Sequence, residues 1–250
     1  MVPASPFLES FSSAHPVLAM LHLKGESAAD RMDRARREID LLWSNGVDAV
    51  IVENYFGDTD DVVAVCDYLR TSRPEVVFGV NVLNDDARAF DIADAFGARF
   101  MQFDSVAGHL PLDEDADYAA WLAEKRASSS AFLLGGVRFK YQPYRSGRSL
   151  EEDLLLGDER SDAIVITGDG TGLETPTAKI AAFRDILSPD AALIVGAGVT
   201  PDSCAAQLAI ADGVIVGSYL KDTYADTGDV DPQHARVFVD AVRQLIPSRA

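Results

Sequence analysis

The chain has 250 residues, 48% of them apolar and 25% charged, with a formal net charge of −18 at pH 7. Those proportions describe an ordinary globule long enough for one large barrel or two smaller domains, without an apolar run of membrane-spanning length. A balance this acidic excludes a nucleic-acid polymer as partner, since a phosphate backbone needs a basic footprint.

The first 16 residues, MVPASPFLESFSSAHP, lack the basic region and apolar stretch of a signal peptide and read as an arm leading into one domain over residues 17–250. A first strand is predicted at Val17–Leu21. AADRMDRARREIDLLWSNG then sets Met32, Ala35, Ile39, Leu42 and Trp43 on one helical stripe and stops at Asn45-Gly46. A second strand, Ala49–Glu53, precedes a helical segment that ends before Pro74. Strands three to six are predicted at Val76–Asn81, Phe100–Phe103, Phe132–Lys140 and Ala163–Thr167. The helix in TPTAKIAAFRDILSP is expected to start with Thr175 as cap and Pro176 behind it, and to halt at Pro189. Strands seven and eight are Ala192–Gly196 and Val214–Gly217, and DPQHARVFVDAVRQLI closes the pattern as a helix.

Continuous β-branched runs suit parallel strands buried on both faces. Eight of them alternating with helices imply a (β/α)8 TIM barrel, with a doubly wound open sheet as the rival. Cys66 and Cys204 stand in separate helical patterns without metal-ligand spacing, which suits reduced thiols in a cytoplasmic protein.

Six strand ends carry polar side chains. They are His22 and Lys24, Glu53-Asn54, Asn81, Asp104, Lys140, and Thr167-Gly168-Asp169. In a barrel these ends converge on one mouth. The seventh and eighth strands end instead in Gly196-Ala197-Gly198 and Gly217-Ser218. Glycine lets backbone amides approach an anion closely, so the two loops are expected to bind a phosphate group, with Lys221 adding charge or capping the turn.

The stretches AMLHLK, NGVDAVIVENYFGD, GVNVLNDDARAFDIADAFGARFMQ, SDAIVITGDGTG and VGAGVT followed by ADGVIVGSYLK resemble the BtpA/SgcQ family over almost the full chain. The resemblance implies a phosphate-site TIM barrel from a family once linked to photosystem I assembly. Three places depart from the family pattern. Gly25-Glu26-Ser27 stands where the family has a PLPG loop, Gln102-Phe103-Asp104 replaces an Asn-containing segment, and Tyr141 follows Lys140 where a histidine is usual.

Glu53, ending a β-branched strand inside the mouth, is expected to be desolvated and to act as general acid or base. Its structural alternative is an acceptor for Lys24 or a loop amide. Asp104 is the second catalytic candidate. Lys140 could hold a developing oxyanion, form a Schiff base, or pair with Glu53. His22, Asn54, Asn81, Thr167 and Asp169 are the candidate substrate contacts. No cofactor is demanded, although Glu53, Asp104 and Asp169 could hold a divalent metal. Two function classes follow. One is an enzyme acting on a phosphorylated sugar or nucleotide-like molecule by isomerisation, epimerisation, aldol-type cleavage or glycosidic hydrolysis. The other is a non-catalytic assembly or regulatory factor that keeps a phosphate pocket. Association with further copies of the chain stays open.

Overall fold

Eight short strands close into one parallel barrel in the computed structural model, which describes residues 5–245. They are β1 (Val17–Leu21), β2 (Ala49–Glu53), β3 (Phe78–Asn81), β4 (Phe100–Ala107), β5 (Phe132–Val137), β6 (Ala163–Ile166), β7 (Ala192–Val195) and β8 (Gly213–Val216). Each pairs with its successor and β8 pairs with β1, so the barrel is a TIM barrel and the open-sheet rival is set aside. A short helix, α1 (Pro6–Glu9), precedes the barrel. After successive strands come α2 (Ala28–Ser44), α3 (Thr59–Ser72), α4 (Asp86–Phe96), α5 (Leu112–Ser128), α6 (Leu150–Arg160), α7 (Thr177–Ile186), α8 (Pro201–Leu208) and α9 (Pro232–Gln244).

Strand alternation sorts the side chains into two apolar layers. Ala19, Val50, Val52, Val80 and Ile164 face outward and pack under the helices. Leu18, Met20, Ala49, Ile51, Leu134, Val165, Ile194 and Ile215 face inward and fill the barrel. Gly79 is what admits Phe100 to that interior, for a Cβ at residue 79 would lie 2.2 Å from the Phe100 ring.

The expected N-terminal arm contains α1, and its Phe7 is fully buried. The ring meets Phe100 and Phe132 edge to face, with centroids 5.7 and 5.8 Å away. Those two residues open β4 and β5, so Phe7 closes the floor of the barrel. Full burial of such a side chain is worth roughly 2–3 kcal/mol.

Several predicted boundaries move. β3 starts two residues late, because the Val76 amide turns back to the Arg73 carbonyl. β4 runs on to Ala107 through a register shift after Phe103. β5 stops at Val137, since Arg138 takes a left-handed backbone (φ 48°) that no ladder accommodates. Lys140 is therefore a loop residue and not a strand end. Helix α2 ends at Asn45 and Gly46 as expected, with Gly46 at φ 86°. Thr175, expected to cap α7, does something else. The N-cap is Pro176, and the Thr175 hydroxyl donates to the Gly196 carbonyl at 2.6 Å. Cys66 and Cys204 are both buried free thiols. Among the described residues no helix is long and apolar enough to cross a membrane.

Candidate active site at the barrel mouth

Inward alternation continues one step past the apolar layer, and that step makes the site. Beyond Met20 comes His22, beyond Ile51 comes Glu53, beyond Gly79 comes Asn81, and beyond Phe100 come Gln102 and Asp104. Glu53 and Asn81 are lateral partners in the β2–β3 register, so their side chains meet. Asn81 Nδ2 donates to Glu53 Oε1 at 2.9 Å and reaches Asp104 Oδ1 at 3.4 Å, while His22 Nε2 stands 3.7 Å from Glu53 Oε2. One amide thus bridges two carboxyl groups, and an imidazole closes the row.

Burial sets the protonation of this row. Desolvation, then the nearby charge of Asp104, pushes the Glu53 carboxyl up to about 8, against opposing pulls from Lys140 and the Asn81 hydrogen bond. Desolvation raises Asp104 as well. Two acids this close in a buried ring do not ionise together, so the pair shares one proton near neutrality. His22 is pushed down to about 3, chiefly by burial and then by the charge of Lys221. It is neutral, and its contact with Glu53 is not an ion pair.

Glu53, Gln102 and Asp104 line one side of a cavity of about 190 Å³, and His22 bridges from Glu53 to Gly217, against which its ring packs. Gly196, Ala197, Gly198, Gly217 and Ser218 form the facing wall, with Thr167 and Lys140 between. The loop after β6 folds over the two glycine loops and fixes them. Thr175 holds Gly196 as described, and a Cβ on Gly198 would lie 2.3 Å from the Glu174 amide nitrogen. Gly198 and Ala197 are both left-handed (φ 62° and 63°), a conformation glycine takes freely and alanine rarely. Ser218 opens a short 3-10 turn, Ser218–Leu220, and its hydroxyl lies beside Gly172. The Lys140 amide donates to Thr167 Oγ1 and its ammonium to Thr171 Oγ1, each at 3.0 Å.

Non-glycine residues in the left-handed region gather at this end. Leu23, Asn84, Arg138, Tyr141, Ala197 and Tyr224 all lie in loops that follow strand C-termini. Such backbone costs of order 1–3 kcal/mol per residue and collects where a site must be shaped.

Other predicted residues stand elsewhere. Asn54 points away from the cavity, as the residue after an inward Glu53 must, and its side-chain oxygen accepts from the Leu83 amide at 2.7 Å. Asp169 is exposed and outside the lining, because the chain leaves the sheet at Ile166. The expected metal trio of Glu53, Asp104 and Asp169 therefore does not assemble, and among the described residues no three His, Cys, Asp or Glu side chains come together to hold an ion. Lys221 is not at the mouth. Its buried ammonium sits 3.0 Å from Glu38 Oε1 on α2. Nor does Lys24 serve Glu53, for its ammonium pairs with Asp229 at 3.1 Å. Sequence reasoning misses Gln102, Tyr55 and Thr171, all of which line the cavity. Two-residue alternation from Phe100 is the signal for Gln102.

Relatives and folds place this mouth in context. The photosystem I biogenesis protein BtpA of Synechocystis is 25% identical over 266 residues, spanning 96% of this chain and 92% of that protein. The putative sgc region protein SgcQ of Escherichia coli is 25% identical, over 95% of this chain and 97% of that one. Phosphoribosyl anthranilate isomerase of Thermus thermophilus shares the fold with a TM-score of 0.60 at 14% identity, covering 92% of this chain and all of that one. The BtpA family model matches residues 13–244. With nearly every described element inside that match, the chain belongs to the BtpA family.

Proposed function

We propose that the chain is an enzyme acting on a phosphorylated sugar or nucleotide-like molecule by proton transfer. The observation that carries this reading is a buried carboxyl pair and two glycine loops on facing walls of one cavity. The phosphate group sits against Gly196–Gly198 and Gly217–Ser218, where amides supply the positive potential that an acidic protein otherwise lacks. The sugar then lies over the carboxyl pair. Protonated Glu53 donates and Asp104 accepts, or the reverse, which serves isomerisation, epimerisation, aldol-type cleavage and glycosidic hydrolysis alike. Lys140 stands on the same rim with a neutral threonine as its partner, placed to steady a developing oxyanion. The fold likeness to an isomerase whose name specifies a phosphoribosyl substrate agrees with this, and two buried free thiols suit a cytoplasmic setting.

The second reading, a non-catalytic assembly factor, is favoured by the name of the Synechocystis relative. Turnover separates the two, and ligand-dependent melting tests the phosphate site that both keep. Ribose 5-phosphate at 100 times its Kd is expected to stabilise the native state by about 2.7 kcal/mol, or about 5–10 °C. Ser218→Asp is expected to abolish that gain by charge repulsion, with ribose inert throughout. No stabilisation by any phosphosugar or nucleotide, or a gain that survives Ser218→Asp, counts against the phosphate site; stabilisation without turnover of any bound ligand favours the assembly factor.

A further inference from the structure

A second cavity, of about 350 Å³, opens on the far side of Asp104. Asp104, Leu83 and Asn84 line both cavities, so the two are compartments of one cleft. The second lies among the loops after β3, β4 and β5, whereas the glycine loops follow β7 and β8. In an eight-stranded barrel those positions are across the mouth from each other. A ligand whose phosphate rests on the glycine loops and whose sugar covers Glu53 and Asp104 therefore points its far end into the second compartment.

The walls there are specific in kind. Tyr118 and Trp121 of α5 present two rings tilted together with centroids 5.6 Å apart, and His109 stands edge-on to Tyr118 at 5.2 Å. Around those rings sit Asp86, Asn84 and Gln142, all able to bond to a heteroatom edge. The His109 Nδ1 atom is buried with no hydrogen-bond partner among the described residues, and a polar ligand group in this compartment would satisfy it. Tyr118 Oη donates to Asp86 Oδ2 at 3.3 Å, and burial pushes the Asp86 carboxyl up to about 7. No Lys or Arg lines this compartment, so a second anionic group finds no cation there. Flat aromatic walls with mixed donors and acceptors suit a neutral planar heterocycle.

Resting on the phosphosugar reading above, we propose that the second compartment binds the planar nitrogenous ring of the same ligand, making the ligand a nucleoside 5′-phosphate. Asp104 then stands at the junction of sugar and ring.

Calorimetric titration tests this with ribose 5-phosphate, the five common nucleoside 5′-monophosphates and a phosphorylated disaccharide. The proteins are the wild type, His109→Ala and Gln142→Ala, each first shown to melt cooperatively. At least one nucleotide is expected to bind tenfold or more tighter than ribose 5-phosphate. That gain should fall at least fivefold in either variant, while ribose 5-phosphate binds all three proteins alike. If ribose 5-phosphate binds but no nucleotide binds more tightly, the ring subsite is wrong while the phosphate site stands. The subsite is equally wrong if the gain survives both substitutions or the disaccharide matches it. If no phosphorylated ligand binds the wild type, the phosphosugar reading falls first and takes the subsite with it.

Discussion

Glu53→Gln reports on the buried proton without any knowledge of the substrate. The Glu53 carboxyl moves from an ordinary 4.5 to about 8 on folding, mainly because burial removes water from its charged form. A tenfold change in proton affinity is about 1.4 kcal/mol, so the full displacement corresponds to ~5 kcal/mol. Its sign follows from the raised value. The folded chain holds this proton more tightly than the unfolded one, so the contribution is complete below pH 4.5, declines as pH rises, and is gone above about pH 8. Glutamine keeps the shape and the Asn81 hydrogen bond but cannot ionise. The variant is thus expected to gain on the wild type by ~3–5 kcal/mol between pH 5 and pH 9, allowing for partial solvation of the mouth. In a chain of this length that is a gain of about 10 °C in relative melting temperature. Paired thermal melts across that range measure it. Parallel curves from pH 5 to pH 9 would refute the reasoning, for they would mean that Glu53 is already ionised in the folded chain. With a substrate in hand, the same variant should lose ~100- to 10,000-fold in kcat while binding stays close to wild type.

Two further outcomes concern the scaffold. Glu38→Gln strands the buried Lys221 ammonium and is expected to cost about 3 kcal/mol in urea unfolding, most of which the Lys221→Met, Glu38→Leu double variant recovers. A double variant no more stable than Glu38→Gln would show that the pair does not act as a unit. Cys66 and Cys204 are expected to resist a thiol reagent in the native protein, where burial also pushes the Cys66 thiol up, and to give two reactive groups per chain once unfolded without reductant. Fewer than two would indicate a disulfide.

Much of this site is legible in the sequence because a parallel barrel is a simple rule applied eight times. Strand periodicity alone places Glu53 and Asn81 inward at the mouth, and the glycines of the last two loops on the wall opposite. The failures have equally local causes. Lys140 reads as a strand residue because FLLGGVRFK is apolar enough to continue, and the left-handed turn at Arg138 leaves no mark that a non-glycine sequence displays. Lys221 resembles a phosphate ligand by its nearness to Ser218, but the short 3-10 turn swings it behind the barrel wall toward α2. Asn54 and Asp169 fall in with the true mouth residues by adjacency in sequence, when one faces away and the other has left the sheet. The neutrality of His22 depends on burial by loops from several strands, which no single stretch of sequence encodes.

The packed layer of inward side chains, floored by the ring of Phe7, makes the mouth a blind well and not a conduit. Arrival and departure must then use the same doorway. A molecule split at the carboxyl pair would release its halves in sequence, and whichever half lies nearer the rim would have to go before the deeper one could follow. The deeper fragment, last to leave, is then the one that occupies the otherwise empty site, so added back in excess it should compete with the substrate.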